Sequence, residues 1–278
     1  MIMDENLKIS FIGAGHLAYS IIGALAGKSG FGQNITIFDK IEEQYKKFEP
    51  LNLKKACGAA DAIKGGDIIF LAVRPGDFLS LLADIQNSGA DLSGKLFVST
   101  AAGITMGYIE ENIGQNTAVI RTMPNTPAAI GRGMTALSRN QNVSDRNFQT
   151  VCDIFSTLGE IIVLPEEKMN KVVAVNGSSP AYVYLFAEAM LAGAVELGFC
   201  EDEIYPAVLQ SLIGAFEMLK NTKKSPAELI SAVAVPGGTT KAALESFYSD
   251  DFTGAVKRAM LACVKRADEL TKQYCGEE

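Results

Sequence analysis

Two glycine clusters near opposite ends of the chain each stand directly before a helical pattern, an unexpected place for residues that weaken helices. The first lies in "ISFIGAGHLA", residues 9–18, and reads Gly13-x-Gly15-x-x-Ala18 between a short apolar run and a helix-length segment. In that setting Gly13 makes a tight turn, Gly15 lets a diphosphate approach the backbone, and Ala18 lets helix pack on strand. The N–H groups that open the helix add partial positive charge for the phosphates. Asp39 follows Ala18 by 21 residues, at the end of the second apolar run. Its carboxylate suits the adenosine ribose and repels a 2′-phosphate, which favours NADH over NADPH. Lys40 beside it offers a phosphate a cation, and the plain alternative for Asp39 is a helix cap before "KIEEQYKKF". His16, the one imidazole in the chain, is expected to lend the cofactor a backbone amide or a ring edge rather than to catalyse.

The second cluster is "VAVPGGTTKAALESF", residues 233–247. Pro236, Gly237 and Gly238 bend the chain so that backbone N–H groups converge at the start of a helical pattern over 239–249, a ready anion site. Thr239 or Thr240 then either caps that helix or turns its hydroxyl to a ligand; the alternative is a helix start that binds nothing. Three further stretches end apolar runs: "LAVRPGDF" (71–78), "STAAGI" (99–104) and "RTMPNTPA" (121–128). Open α/β sheets bind ligands at such strand ends. Arg74-Pro75 keeps the chain extended there, and the small residues around Ala102 permit close approach. Asn125 and Thr126, bracketed by prolines, form either a ligand loop or a stiff structural one.

These pieces need a frame. Apolar runs at 7–13, 34–39, 67–73, 95–100 and 117–123 are continuous rather than alternating, as in parallel strands buried on both faces. Helix-length segments at 16–28, 41–48 and 76–88 separate them, which predicts βαβ units and an open parallel sheet. Later strands are expected at 131–138 and 159–164 around a helix at 145–158. Past Pro165 the strand signal ends, and helices are expected near 166–175, 180–198, 202–221, 225–232, 239–249 and 251–275. The expected division is therefore a dinucleotide-binding domain over 1–165 and a helical domain over 166–278. Helix 180–198 is apolar on nearly every face and must be buried on all sides, either by a second subunit or as the core helix of a monomer. The second subunit is preferred, because so few residues of helix provide little interior.

Composition narrows the partners. The 278 residues are 48% hydrophobic and 21% charged with a formal net charge of −7, against nucleic acid or an anionic membrane as the main partner. One His makes the usual zinc sets unavailable, so no metal is expected. Five scattered cysteines without a CxxC read as free thiols of a reducing compartment. "MIMDENLKIS" has no basic and apolar leader pattern, and "AYVYLFAEAMLAGAV" is shorter than the ~20 residues of a membrane span. A cytoplasmic protein is expected.

"FIGAGHLA", "LAVRP", "AAGI", "RTMPNTPA", "GSSPAYVY" and "VPGGTTKAAL" together resemble the pyrroline-5-carboxylate reductase family, in its order and spacing over residues 9 to about 270. The resemblance implies an N-terminal Rossmann-type domain and an all-helical C-terminal domain that dimerises, with dimers that assemble further into a decamer in many members. It implies a small imino-acid substrate, whose carboxylate and ring nitrogen are held at Gly237, Gly238, Thr239 and Thr240, with Glu166 and Asn176 nearby by position. Thr240 and Thr239 are then the candidate catalytic residues. Candidate cofactor residues are Gly13, Ala14, Gly15, His16, Leu17, Asp39, Lys40, Val73, Arg74, Pro75, Ala102 and Asn125. The implied reaction is hydride transfer from NADH or NADPH to the C=N carbon of a cyclic imine. A protonated imine needs no strong general acid, in keeping with a chain that shows no catalytic His, Cys or carboxylate pair. Two departures bear on substrate choice: Asn176 stands where members usually carry Ser in "SGSGPAY", and Val235 replaces a Ser before the Pro-Gly-Gly. A β-hydroxyacid dehydrogenase would want a lysine base, and Lys171 lacks the usual surroundings for one. A reductase of a related cyclic or acyclic imino acid is the rival within the same chemistry, and a non-catalytic dinucleotide-binding relative is the rival from another class.

Overall fold

Residues 6–26 and 31–276 are described by a computed structural model of the chain. The apolar runs form strands β1 (Ile9–Ile12), β2 (Ile35–Phe38), β3 (Lys54–Lys55), β4 (Ile68–Leu71), β5 (Leu96–Ser99), β6 (Ala118–Met123), β7 (Gly133–Arg139) and β8 (Gly159–Val163). They join in one sheet, ordered β3-β2-β1-β4-β5-β6-β7-β8. β1, β4 and β5 are buried at every residue, as their unbroken apolar runs require.

The expected open parallel sheet is present over β1 to β6, and one of the later strands reverses: β7 runs antiparallel to β6, and β8 is parallel to β7. Only residues 124–132 join β6 to β7, and five of them form a 3₁₀ segment, Thr126–Ile130. A parallel return needs a crossover of about a dozen residues or more, so the chain must double back. The exposed two-residue β3 carries too little apolar signal to have been expected.

Helices α1 (His16–Ala26), α2 (Ala59–Gly65), α3 (Phe78–Asn87), α4 (Met106–Ile113) and α5 (Asp145–Ser156) pack on the sheet. Residues 27 and 28 of the expected first helix lie outside the described residues. α1 buries Ala18, Ile21, Ile22 and Leu25, one stripe at helical spacing. Together with Val151, Ile154 and Phe155 of α5 they cover one sheet face; Ala62, Ile63, Phe78, Leu81, Leu82, Ile85 and Ile109 cover the other. Each fully buried Leu, Ile or Phe contributes roughly 1.5–3 kcal/mol. The segment expected as a helix over 41–48 is instead a 3₁₀ stretch, Glu42–Leu51, that contains Pro50 and stops at Asn52 in the left-handed region.

Beyond β8 the chain is helical: α6 (Met169–Val172), a π-helical turn (Val173–Gly177), α7 (Ser179–Glu196), α8 (Glu201–Asn221), α9 (Pro226–Val233), α10 (Thr239–Ser249) and α11 (Phe252–Cys275). By internal packing the chain forms two compact units, Met1–Ser178 with Cys263–Glu278, and Ser179–Ala262. Within the second, α9 starts on a capping box: Ser225 Oγ accepts from Glu228 N–H, and the Glu228 carboxylate accepts from Ser225 N–H. Ser225 Oγ–H donates to Glu228 Oε2 at 2.7 Å, and this bond, with that from Ser225 N–H at 2.8 Å, holds the Glu228 carboxyl below its ordinary value.

The second unit leaves its apolar side chains open. Val208 is the one buried hydrophobic residue among 179–262, whereas Leu185, Tyr184 and Phe216 are more than half exposed. α7 has no buried residue at all. The reading of α7 as the core helix of a monomer is therefore excluded, and the burial expected on all its sides is not supplied by one chain. An apolar surface of this kind marks an interface with another molecule. No described helix is long and apolar enough to cross a membrane. Among the described residues no three His, Cys, Asp or Glu side chains gather to hold a metal ion, and the five cysteines are free thiols.

Candidate active site

Strand order reverses between β1 and β4, and the crevice beyond their C-terminal ends is where such sheets take ligands. Gly13 lies there with φ +100°, and a Cβ on it would stand 2.5 Å from the Ala72 carbonyl carbon and 2.9 Å from Val73 N. Only glycine meets both demands, and the close fit sets the glycine loop directly against the loop after β4. Gly13 N–H donates to Phe38 O at 2.8 Å.

Gly15 is different. A Cβ built on it meets no protein atom within 4 Å. The fold does not require glycine at this position, whereas a diphosphate lying on the backbone does. α1 opens at His16, so the amides of His16, Leu17 and Ala18 belong to its first turn and have no carbonyl one turn earlier to bond. His16 is exposed and Leu17 half-buried. The site thus fits the diphosphate of a dinucleotide on its own geometry: an open backbone, a helix start and no acidic residue in that first turn.

Asp39 closes the crevice from β2. Its Oδ2 accepts from Ala14 N–H at 2.7 Å and its Oδ1 from Ile41 N–H at 2.8 Å. Tyr45 Oη accepts from Asp39 N–H at 2.7 Å and donates to Asp39 O at 3.0 Å. The carboxylate is therefore fixed beside the glycine loop with a lone pair left on each oxygen for a ribose hydroxyl. It does not cap the following segment, which starts after Ile41 without a side-chain cap. Lys40, expected as a cation for a phosphate, lies 3.4 Å from Asp84 with both side chains more than half exposed. Such a pair is worth about 1 kcal/mol at most, so it binds Lys40 only loosely.

Val73 and Pro75 are half-buried, and Arg74 is exposed and extended (φ −67°, ψ 150°) ahead of a short 3₁₀ turn. Ala102 sits between the buried Ala101 and Gly103. Asn125 is committed to its surroundings: its Oδ1 accepts from Met134 N–H at 2.9 Å and its Nδ2 donates to Asn176 O at 3.3 Å. Asn176 in turn donates from Nδ2 to Met123 O at 2.6 Å. The fold thus brings Asn125 and Asn176 together across the end of β6.

Glu166 belongs to a network that sequence reasoning missed. Arg121 of β6 is buried to within 1% of its surface. Its Nη1 lies 3.5 Å from Glu166 Oε1 and its Nη2 donates to Asn170 Oδ1 at 2.6 Å. Glu166 Oε1 also accepts from Met106 N–H at 2.6 Å, at the start of α4. Burial pushes the Arg121 guanidinium below its ordinary value, and the Glu166 carboxylate pulls it back. The available signal was a charged residue inside the apolar run "AVIRTM". Lys171 lies in α6, in the turn that also holds Asn170.

In the second unit the opening of α10 answers why glycines precede a helix. Gly238 N–H donates to Val235 O at 3.0 Å, closing a turn with Pro236 second and Gly237 third, at φ +74°. That is the arrangement of a type II turn. Gly238 is the N-cap and contributes no side-chain bond. Capping by Thr239 or Thr240 is thereby corrected: they are the first two helical residues, Thr239 exposed and Thr240 half-buried. The first-turn N–H groups have no side-chain acceptor, and no acidic residue stands among them, so the turn favours an anion.

Residues 166–270 match the family model for pyrroline-5-carboxylate reductase dimerisation, and residues 8–103 match that for the coenzyme F420-dependent NADP oxidoreductases. The chain is 36% identical over 271 residues to the pyrroline-5-carboxylate reductase of Escherichia coli K12, covering 95% of this chain and 98% of that one. It superposes on a crystal structure of 1-pyrroline-5-carboxylate reductase from Streptococcus pyogenes with a TM-score of 0.87 at 30% identity, over 96% of this chain and all of that one. The Plasmodium falciparum pyrroline carboxylate reductase, crystallised with NADP bound, gives a TM-score of 0.88 at 28% identity, over 97% of this chain and 100% of that one.

Proposed function

The chain belongs to the pyrroline-5-carboxylate reductase family, and we infer that it is an NAD(P)H-dependent oxidoreductase that reduces 1-pyrroline-5-carboxylate to L-proline, the closing step of proline biosynthesis. The observation that carries the reading is the pair of open anion-binding backbones, Gly15 at the start of α1 and Gly237–Thr240 at the start of α10. A reduced nicotinamide dinucleotide supplies the hydride when bound. The chain's own part is binding and orientation, which suffice for an imine that is electrophilic once protonated. The amides of Thr239 and Thr240 bind the substrate carboxylate, and the Thr240 hydroxyl hydrogen-bonds the ring nitrogen. Val73, Arg74, Pro75 and Ala102 line the path of the dinucleotide, and Glu166, Asn125 and Asn176 shape the site through the loops they hold.

Dinucleotide binding is assigned to residues 1–165, and dimerisation and substrate binding to 166–278. The open apolar faces of α7 and α8 supply the contact of a homodimer, which builds a decamer by further association. Preference is for NADH, because the fixed Asp39 carboxylate repels a 2′-phosphate. Asp39→Ser is expected to shift the ratio of kcat/KM for NADH over NADPH about tenfold towards NADPH. An unchanged ratio removes Asp39 from cofactor selection. The function itself is tested by loss of reduced-nicotinamide absorbance with pyrroline-5-carboxylate and purified protein, followed by detection of proline. No turnover by a protein that binds the dinucleotide contradicts it.

A further inference from the structure

The last turns of α11 lie against two successive loops at the C-terminal edge of the sheet and reach strand β6 through a side-chain relay. After β4, Tyr274 Oη stands 3.8 Å from where a Cβ of Gly76 would be. After β5, Gly103 has φ +78°, and a Cβ on it would meet Leu270 Cβ at 3.0 Å and Thr271 N at 3.3 Å. The Cys275 thiol donates to Gly103 O at 3.4 Å. At β6 the link is a relay: Arg121 Nη2 donates to Asn170 Oδ1, and Asn170 Nδ2 donates to Asp268 Oδ1 at 2.9 Å and to Thr271 Oγ1 at 3.0 Å. Glu166 extends the relay to Met106 N–H, so the segment from Gly103 to Met106 is held at both of its ends. Tyr274 and Cys275 also pack on the core that contains Phe78, Ile104 and Met106.

The two loops carry Val73–Pro75 and Ala102, which line the proposed path of the dinucleotide. We propose that residues 268–275 of α11 are a positioning element of the dinucleotide site, which fixes the loops after β4 and β5 directly and Arg121 of β6 through Asn170. Asp268, Thr271 and Cys275 are its positioning residues, acting through Asn170 and Gly103 and touching no substrate. A helix that only stabilised the fold would influence thermal stability without distinguishing cofactor from substrate. One that sets loop position changes cofactor affinity first.

The inference rests on the dinucleotide site proposed above, and wild-type binding and turnover test that site separately. The experiment compares Asp268→Ala/Thr271→Val, which removes both acceptors of Asn170 Nδ2, with Asp268→Asn/Thr271→Ser, which keeps them. Dinucleotide Kd is read by NADH and NADPH fluorescence titration of the full chain, and KM for pyrroline-5-carboxylate at saturating dinucleotide. The disruptive pair is expected to raise dinucleotide Kd about tenfold with substrate KM within about twofold of wild type, and the conservative pair to restore Kd. A folded disruptive variant whose Kd stays within about twofold of wild type overturns the proposal. So does a conservative pair as weak as the disruptive one. If the disruptive pair fails to fold, Cys275→Ala against Cys275→Ser decides: about a threefold rise in Kd reversed by Ser supports the element, and no rise overturns it.

Discussion

Gly15→Val is expected to abolish measurable dinucleotide binding while the protein keeps its fold and its association through the helical domain. The expectation follows from an asymmetry between two glycines of one loop. At Gly13 a side chain collides with the Ala72–Val73 peptide, so substitution there damages the sheet and says little about function. At Gly15 a Cβ meets no protein atom within 4 Å, so a valine there displaces a ligand and not the protein. A diphosphate on the amides of His16 and Leu17 gains charge-assisted hydrogen bonds of about 1.5–3 kcal/mol each. Loss of two such bonds lowers affinity by more than about a hundredfold. Titration fluorescence measures the loss, and thermal unfolding within a few degrees of wild type shows that the fold is intact. Undiminished NADH and NADPH affinity in the variant excludes the glycine loop as the diphosphate site.

Thr240→Ala carries the second large effect, on turnover rather than on cofactor. As the second residue of α10, Thr240 loses no capping bond when its hydroxyl is removed, because the N-cap is Gly238. The backbone amides proposed to bind the carboxylate stay in place. What disappears, on the proposed reading, is one hydrogen bond in which the Thr240 hydroxyl oxygen accepts from the protonated ring nitrogen, whose positive charge is lost as hydride arrives, and removal of a preorganised polar group of that kind costs about a hundredfold in kcat. Dinucleotide Kd is expected to be unchanged. Steady-state kinetics at saturating NADH check this; a variant that keeps wild-type kcat takes Thr240 out of the reaction.

Much of this architecture was legible in residue order. The buried strands β1, β4 and β5 announced themselves because both faces of a central parallel strand are covered, which forces unbroken apolar runs. Gly13, Gly15 and Ala18 were legible because each satisfies a separate steric demand. α7 was legible for the opposite reason: an apolar helix without a polar face needs cover that one chain does not provide. The reversal at β7 was present in the spacing between the runs at 117–123 and 131–138, too short for a crossover, although apolar pattern alone does not report strand direction. Arg121 escaped notice because its role depends on partners 45 and 49 residues away, Glu166 and Asn170, which no local pattern joins to it. The hold of Tyr45 on Asp39 was equally silent, since a tyrosine in a charged segment reads as surface. Thr239 and Thr240 were singled out by type and place, and of the alternatives left open for them, capping fails for a geometric reason. The turn at Pro236-Gly237 places the N-cap on Gly238, one residue before Thr239 and two before Thr240.

The proposed reaction requires that, in the oligomer, the Gly237–Thr240 turn hold the amino-acid carboxylate beside a nicotinamide delivered by a Gly13–Leu17 loop. A crystal structure of the oligomer with NAD⁺ and L-proline measures that arrangement directly. The predicted result is a proline carboxylate on the amides of Thr239 and Thr240, with the ring carbon next to nitrogen facing nicotinamide C4. Proline bound elsewhere, with residues 237–240 remote from every nicotinamide in the oligomer, contradicts it.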